Sequence, residues 1–219
     1  MTTTKQQPLI IFPLFIAIAI GFTIKIIYLF FIGPAVYGND LLVARDAFSY
    51  TNSFINLVNT GEYTHTPGYE PASFGRLPGI PFIWGFFYLI FGIPKAYTAF
   101  ALFQIVLDVF AGLMIFKIIK NFFDQRTALI SVWCYVLFPF TTYFVVRTDA
   151  DYLSLFSVIL VFYQLVFFKI NMKQSILLGV SLAAAFFIRE TLILLTPISF
   201  FYLTRNYKVK LKYYFSQLR

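Results

Sequence analysis

Long apolar runs separated by short polar segments dominate the pattern of this chain. We interpret six runs as membrane spans, at about residues 9–32, 95–118, 127–146, 152–168, 175–188 and 191–204. A helix of about 20 apolar residues crosses the ~30 Å hydrocarbon core of a bilayer. The pattern therefore predicts an all-α polytopic membrane protein in which residues 1–219 form a single transmembrane module.

The longest polar segment follows the first run, and we predict an outer loop with interfacial helices over residues 33–94. Within it, residues 46–60 carry a polar stripe and an apolar stripe at helical spacing, formed by Ser49, Asn52, Ser53, Asn56 and Asn59 and by Ala47, Tyr50, Phe54 and Val58. This pattern predicts an amphipathic juxtamembrane helix that lies in the bilayer interface. Asp46 would begin the helix, where the helix dipole stabilises an ionised carboxylate.

The predicted topology depends on whether residues 79–94 cross the membrane. Sixteen helical residues reach about 24 Å, short of the ~30 Å hydrocarbon core, so we expect this segment to dip into the membrane and return. With the N-terminus in the cytoplasm, eleven basic residues then face inward and five outward, whereas a crossing would leave four inward and twelve outward. Because basic residues favour the cytoplasmic side, we predict the dipping topology.

Composition narrows the class of protein. The chain is 60% hydrophobic and only 12% charged, which excludes a soluble domain. Its net charge of +8 comes from basic residues at the ends of apolar runs, so orientation in the membrane explains the charge better than a nucleic-acid partner. The single histidine, His65, excludes a metal site with several histidines.

Charged residues of both signs are predicted at one depth on the outer face. They are Asp46, Asp149 and Asp151 together with Arg76, Arg147 and Arg189, with Tyr50 one helical turn after Asp46 and Glu70 in the same outer loop. A pocket lined by carboxylates and guanidiniums suits a substrate that has both a phosphate and reacting hydroxyls.

The same residues also have simpler interpretations. The three aspartates begin predicted helices, so each is either an N-cap alone or a general base that activates an acceptor hydroxyl. Arg76 is either an interface anchor or a ligand-binding residue. Arg189 stands between two apolar segments, where it needs water, Glu190 or an anionic ligand. We expect acids to leave both arginines incompletely paired, with donors free for a phosphate.

Asp108 lies in the middle of a predicted span, with Gln104 one helical turn earlier. An ionisable residue inside a membrane is a functional candidate. Two alternatives stay open: Asp108 forms an internal pair with Lys25, or it carries a proton.

A series of short motifs extends over almost the whole chain. They are Asp46-x-x-x-Tyr50, Gly61-Glu62-Tyr63, Arg76-x-Pro78-x-x-Pro81, Asn121 to Arg126, Thr148-Asp-Ala-Asp151, and Gly179 to Arg189 followed by Pro197. Their order resembles the GT-C superfamily of polyprenyl-phosphate-sugar-dependent glycosyltransferases. The nearest branch is the dolichyl-phosphate-mannose-protein mannosyltransferase-like and aminoarabinose-transferase-like one.

The resemblance implies an inverting transfer of a sugar from a polyprenyl-phosphate carrier, on the outer face of the cell inner (plasma) membrane. Partners would be the lipid-linked donor, membrane lipids and an acceptor lipid, glycan or protein. Asp46 would be the main catalytic residue, with Asp151 or Asp149 as a second acid. Arg76 and Arg189 would hold the carrier phosphate, with Tyr50, Glu70 and Arg147 as further substrate-binding residues. No cofactor is specified, and a divalent metal ion stays an open alternative.

Relatives in this superfamily are usually much longer, so we expect this chain to lack the C-terminal part of a longer enzyme. Three alternatives stay open: a fragment, a truncated gene product, or a minimal form of a hexosyl- or pentosyltransferase. Loss of activity is an expectation for the fragment only. The alternative function is a non-enzymatic one: a lipid-linked-sugar transporter, a flippase accessory or a carrier-lipid-binding module. A transporter would place polar groups such as Asp108 and Gln104 on a continuous path through the membrane.

Overall fold

The computed structural model describes residues 11–38, 42, 45–66 and 76–217. All secondary structure in these residues is helical, which confirms the predicted all-α class. The helices are α1 (Ile11–Ile27), α2 (Gly33–Tyr37), α3 (Arg45–Thr60), α4 (Gly79–Phe91), α5 (Lys95–Phe122), α6 (Gln125–Leu137), α7 (Pro139–Val145), α8 (Asp151–Val166), α9 (Met172–Ile188) and α10 (Leu195–Gln217). A π-helical turn (Tyr28–Ile32) joins α1 to α2, and a 3-10 helix (Glu190–Leu194) joins α9 to α10.

Within the described residues, two helical segments are long and apolar enough to cross a membrane. They are Phe12–Tyr37, which combines α1, the π-helical turn and α2, and Lys95–Phe122, which is α5. Helices α6 and α7 make a third if they count as one span, bent by 55°. The bend falls at Phe138, because proline disfavours helical backbone in the residue before it. The predicted span over residues 127–146 therefore corresponds to two helices.

The remaining predicted spans correspond to shorter elements. Residues 152–168 and 175–188 match α8 and α9, which are apolar helices of 16 and 17 residues. Residues 191–204 match the 3-10 helix and the first part of α10. The boundaries of the first two lie within three residues of these helices, whereas α10 continues 13 residues beyond the predicted end at residue 204. That any of these segments crosses the bilayer stays a prediction.

Contacts along α5 fix the directions of its neighbours. Helix α1 runs antiparallel to α5, because Lys25 meets Asp108 and Ile18 packs against Gly112 farther along α5. Close approach at a small residue such as Gly112 is typical of helix pairs in membranes.

Helix α8 runs in the same direction as α5. It begins just after Arg147, whose carbonyl accepts a hydrogen bond from Gln104, and it reaches Lys117, whose Nζ lies 5.8 Å from the centre of the Tyr163 ring. Helix α9 follows α8 and runs in the opposite direction, back to the end of the bundle where α8 begins. We call the end where α8 begins and α9 ends the acidic end, and the opposite end, with Lys117 and Lys120, the basic end.

Helices α3 and α4 pack over the acidic end. Gly79 begins α4 in close contact with the carbonyl of Phe187, near the end of α9. Trp84 is fully buried, and its ring lies 5.2 Å from that of Tyr97 near the start of α5. Helix α4 thus packs at the acidic end of the bundle. The dip of residues 79–94 into the membrane stays a prediction.

Candidate active site

A cavity of about 210 Å³ lies at the acidic end. Its walls come from the start of α3, the residues before α4, the α7–α8 loop and the junction of α9 with the 3-10 helix. The lining residues are Asp46, Tyr50, Arg76, Leu77, Asp149, Ala150, Asp151, Ile188, Arg189 and Glu190. Pockets for drug-sized ligands are usually ~300–1,000 Å³, so this cavity can enclose the polar head of a ligand but not a long lipid.

Helix α3 places Asp46 and Tyr50 on this cavity, as the sequence pattern predicts. Asp46 lies in its first turn, and Gly61 ends it with a φ of +79°, a conformation that costs little without a side chain. The predicted stripes were only partly right. Ser53 was assigned to the wet stripe but is fully buried, and Val58 was assigned to the apolar stripe but is 49% exposed.

Arg76 precedes α4 and contacts both the start of α3 and Tyr63, which follows α3. Its Nη2 lies 3.1 Å from Asp46 Oδ1, its Nε donates to Ser49 Oγ at 2.9 Å, and its guanidinium lies 5.0 Å from the centre of the Tyr50 ring. The Tyr63 hydroxyl donates a hydrogen bond to the backbone carbonyl of Arg76. Ser49 and Tyr63 were not among the predicted site residues. The helical spacing of Ser49 from Asp46 was the signal for its position.

Asp149 is the buried acid of the site, only 5% exposed. Its Oδ1 accepts a hydrogen bond from the Asp151 backbone N–H at 3.0 Å, and its Oδ2 lies 3.3 Å from Arg147 Nε. Gln104, fully buried on α5, donates from Nε2 to the Arg147 carbonyl at 2.8 Å. The α7–α8 loop is therefore fixed from both sides, which holds Asp149 in one position.

Burial raises the pKa of Asp149 to about 6, and the carboxylates of Asp151 and Asp46 act in the same direction. The hydrogen bond from the Asp151 N–H and the charge of Arg147 oppose this increase. Burial also raises the pKa of Tyr50, against the lowering effect of Arg76, so this phenol stays a neutral hydrogen-bond donor. The site thus combines an acid that titrates near neutrality with a neutral hydroxyl.

Arg189 ends α9 in an extended conformation, which turns it toward the start of α8. Its Nη1 lies 2.7 Å from Asp151 Oδ1, and both side chains are about half exposed. Arg76 and Arg189 each form an ion pair with a carboxylate of the same cavity through one guanidinium nitrogen, which uses only part of the donors of each guanidinium. That donors stay free for a phosphate remains a prediction. Sequence spacing along each segment did not reveal these contacts, since they join residues 30 and 38 positions apart.

Arg147 does not line the cavity but lies behind Asp149. Its Nη1 donates to the Tyr143 hydroxyl at 2.7 Å, and its guanidinium lies 4.8 Å from the centre of that ring. The structure therefore gathers Asp46, Tyr50, Arg76, Asp149, Asp151 and Arg189 around one cavity and places Arg147 beside it. The catalytic and binding roles of all these residues stay predictions.

Glu70, also predicted to bind substrate, lies outside the described residues. Within the described part of the chain, no three acidic, histidine or cysteine side chains are close enough together to hold a metal ion.

Comparison with known proteins identifies the family. No curated protein and no solved structure matches this chain. The model of the dolichyl-phosphate-mannose-protein mannosyltransferase family matches residues 71–218. The matched region contains Asp149 in the α7–α8 loop, Asp151 at the start of α8 and both cavity arginines, whereas Asp46 and Tyr50 precede it. Since the match covers more than half of the 219 residues, this membrane protein belongs to the dolichyl-phosphate-mannose-protein mannosyltransferase family, whose members are glycosyltransferases of the GT-C type.

Proposed function

We propose that this glycosyltransferase moves a sugar from a polyprenyl-phosphate carrier to an acceptor hydroxyl, on the outer face of the plasma membrane. One observation carries the proposal. Three aspartates and two arginines, from four separate segments, line a single cavity at one end of a membrane bundle. Transfer from a lipid phosphate needs both kinds of group, because the phosphate needs donors and the acceptor hydroxyl needs a base.

Arg76 and Arg189 are the proposed phosphate ligands. They approach the cavity from different segments, and both are about half exposed, so a ligand that enters from the surface can reach them. A guanidinium binds two phosphate oxygens at once, which positions the phosphate as well as holding it. As the bond to the sugar breaks, the same arginines would stabilise the negative charge that develops on the leaving carrier phosphate.

Asp46 is the proposed general base, with Asp149 or Asp151 as a second acid. The carboxylate takes the proton of the acceptor hydroxyl as the acceptor oxygen bonds to the anomeric carbon. The bond between that carbon and the phosphate oxygen breaks, and its electron pair leaves with the carrier phosphate. A single displacement of this kind inverts the anomeric centre. The reaction needs no oxidant or reductant.

The proposed orientation rests on the distribution of basic residues. Lys117 and Lys120 lie at the basic end, and Lys169 and Lys173 flank the start of α9 at the same end. Lysines concentrate on the cytoplasmic side of membrane proteins. The acidic end, with the cavity, would then face outward.

The transporter alternative gains no support from the two polar residues it needed. Asp108 is paired with Lys25, and Gln104 donates from Nε2 to the Arg147 carbonyl; both side chains are buried. Two buried and partnered side chains do not form a polar path for a substrate.

A transfer assay tests the proposal directly. Purified protein in detergent is given a radiolabelled polyprenyl-phosphate sugar, with lipid, glycan and protein acceptors in separate reactions. We expect label to move to one acceptor class and free polyprenyl phosphate to accumulate in equal amount. Nucleotide sugars serve as the control donors. Transfer from a nucleotide sugar, with none from the lipid-linked donors, would contradict the proposed donor.

A further inference from the structure

Both arginines of the cavity already have anionic partners. Arg76 Nη2 lies 3.1 Å from Asp46 Oδ1, and Arg189 Nη1 lies 2.7 Å from Asp151 Oδ1. The four residues line the same cavity, together with two further acids and no further basic residue among those that line it. A phosphate that enters would therefore meet guanidiniums whose charge is balanced, in a lining with more acids than bases.

We propose that the carrier phosphate replaces Asp46 and Asp151 as the partner of Arg76 and Arg189, and that this exchange frees the two carboxylates for catalysis. The inference rests on the proposed function, since it requires a phosphate in the cavity. It assigns the aspartates a second role, as resting counter-ions that the donor displaces. It also sets an order, because the acceptor hydroxyl meets an unpaired base only after the donor has bound.

The exposure of the two pairs makes the exchange easy. Asp46 is 72% exposed and Arg76 45%, while Asp151 and Arg189 are 44% and 46% exposed. Ion pairs this exposed contribute little, because water and salt screen them. A phosphate can bind each guanidinium through two oxygens and so competes well with a carboxylate held through one.

Asp149 takes no part in the exchange. It is buried and is held by the Asp151 N–H and by Arg147, neither of which is a proposed phosphate ligand. The exposed Asp46, once displaced, is free to meet the acceptor hydroxyl, whereas Asp149 keeps its position. The exchange is therefore confined to the two exposed pairs.

The exchange predicts that removal of an acid strengthens donor binding. Asp46→Asn and Asp151→Asn remove the competing charge and keep the side-chain shape. We expect each to bind a polyprenyl phosphate in detergent about threefold more tightly or better. Inorganic phosphate should show the same gain, because the exchange involves the phosphate group and not the lipid tail. A gain with the lipid alone would overturn the proposal, as would unchanged binding of both probes.

Glu190→Gln is the matched control. Glu190 lines the same cavity, and within the described residues no ion pair joins it to an arginine. The substitution removes one negative charge without removing a competitor, so its gain should be clearly smaller. An equal gain would show a general charge effect and would refute the exchange. Asp46→Ala, which suits a position inside a helix, replaces Asp46→Asn if that variant does not fold.

Arginine variants separate this proposal from the proposed function. If Arg76→Ala and Arg189→Ala bind polyprenyl phosphate as the unmodified protein does, the phosphate site itself is wrong. If they lose binding while the aspartate variants gain none, only the exchange is wrong.

Discussion

Lys25 and Asp108 form an ion pair in the interior of the bundle, with 2.8 Å between Lys25 Nζ and Asp108 Oδ2. The Tyr135 hydroxyl donates to the other carboxylate oxygen at 2.7 Å, so α1, α5 and α6 meet at this point. The two side chains are 0% and 4% exposed. Each charge is tolerated at this position because the other is present.

Loss of one partner should therefore destabilise the fold. Asp108→Asn leaves the Lys25 charge buried without its carboxylate, and we expect the free energy of unfolding to decrease by about 3–5 kcal/mol. The double variant Lys25→Met/Asp108→Leu should recover most of that loss, because it removes both charges. Unfolding in mixed detergent micelles, followed by circular dichroism, measures both. A double variant as unstable as Asp108→Asn would show that the unpaired charge is not the cause.

The Lys25–Asp108 pair shows how far sequence reasoning extends in this protein. The position of a residue in an apolar run and the constant rise of a helix give its depth in the membrane. By depth, Lys25 was already one of the alternatives considered for Asp108. Depth also brought Asp46, Asp149 and Asp151 to one level with Arg76 and Arg189. All five line the cavity.

The pairing of these side chains could not be predicted in the same way. It depends on how each helix is rotated and on where the chain turns, and long-range packing sets both. Arg189 reaches Asp151 because α9 ends in an extended residue, and Arg76 reaches Asp46 because the loop after α3 returns to its start. Ser53 is buried for the same reason, since packing against neighbouring elements overrides the local polar pattern.

Asp46→Asn should abolish most of the transfer without loss of the fold. Asp46 is the second residue of α3, and asparagine keeps its shape and can still accept a hydrogen bond from Arg76, so α3 should form. If Asp46 is the general base, the rate should fall about 10²-fold or more. Glu62→Gln is the control, since Glu62 is an exposed acid in the same outer loop that does not line the cavity. Transfer at the unmodified rate by well-folded Asp46→Asn would exclude the role of base.

The rate of transfer should also depend on the charge of Asp149. Its pKa is raised to about 6, so the carboxyl is mostly neutral at pH 5 and mostly ionised at pH 7. If the reaction needs the ionised form, the rate should fall about tenfold per pH unit below pH 6. Asp149→Asn should remove this decrease from the pH profile and leave a low rate. A decrease near pH 6 that persists in Asp149→Asn would assign it to another group.

Cysteine labelling tests the orientation. The natural Cys134 is exposed, so it is first replaced by serine. Single cysteines at Glu62 in the outer loop and at Lys120 at the basic end are then treated in intact cells with a reagent that does not cross membranes. We expect labelling at position 62 and none at position 120, because the lysines of the basic end should face the cytoplasm. Labelling at position 120 alone would show the opposite orientation, with the cavity on the cytoplasmic side.

Substitutions of Arg76 and Arg189 separate charge from geometry in the binding of the carrier. Lysine keeps the charge but loses the planar pair of donors, and at position 76 it also loses the stacking on Tyr50. Affinity for polyprenyl phosphate should therefore decrease in the order Arg, Lys, Ala at each site, with a loss of about 10-fold or more for alanine. Isothermal titration in detergent measures this order.

The two arginines should also couple, because they would share one phosphate. In a double-mutant cycle, residues with a common partner show an interaction energy of at least ~0.5 kcal/mol, whereas distant and independent residues add within that limit. Asn59→Ala on α3, exposed and outside the cavity, paired with Arg189→Ala, provides the additive reference. Additive losses for Arg76→Ala and Arg189→Ala would place them on separate ligands. If neither substitution changes the affinity for polyprenyl phosphate, the arginines do not bind the carrier. They would then be interface residues whose ion pairs with Asp46 and Asp151 have only a structural role.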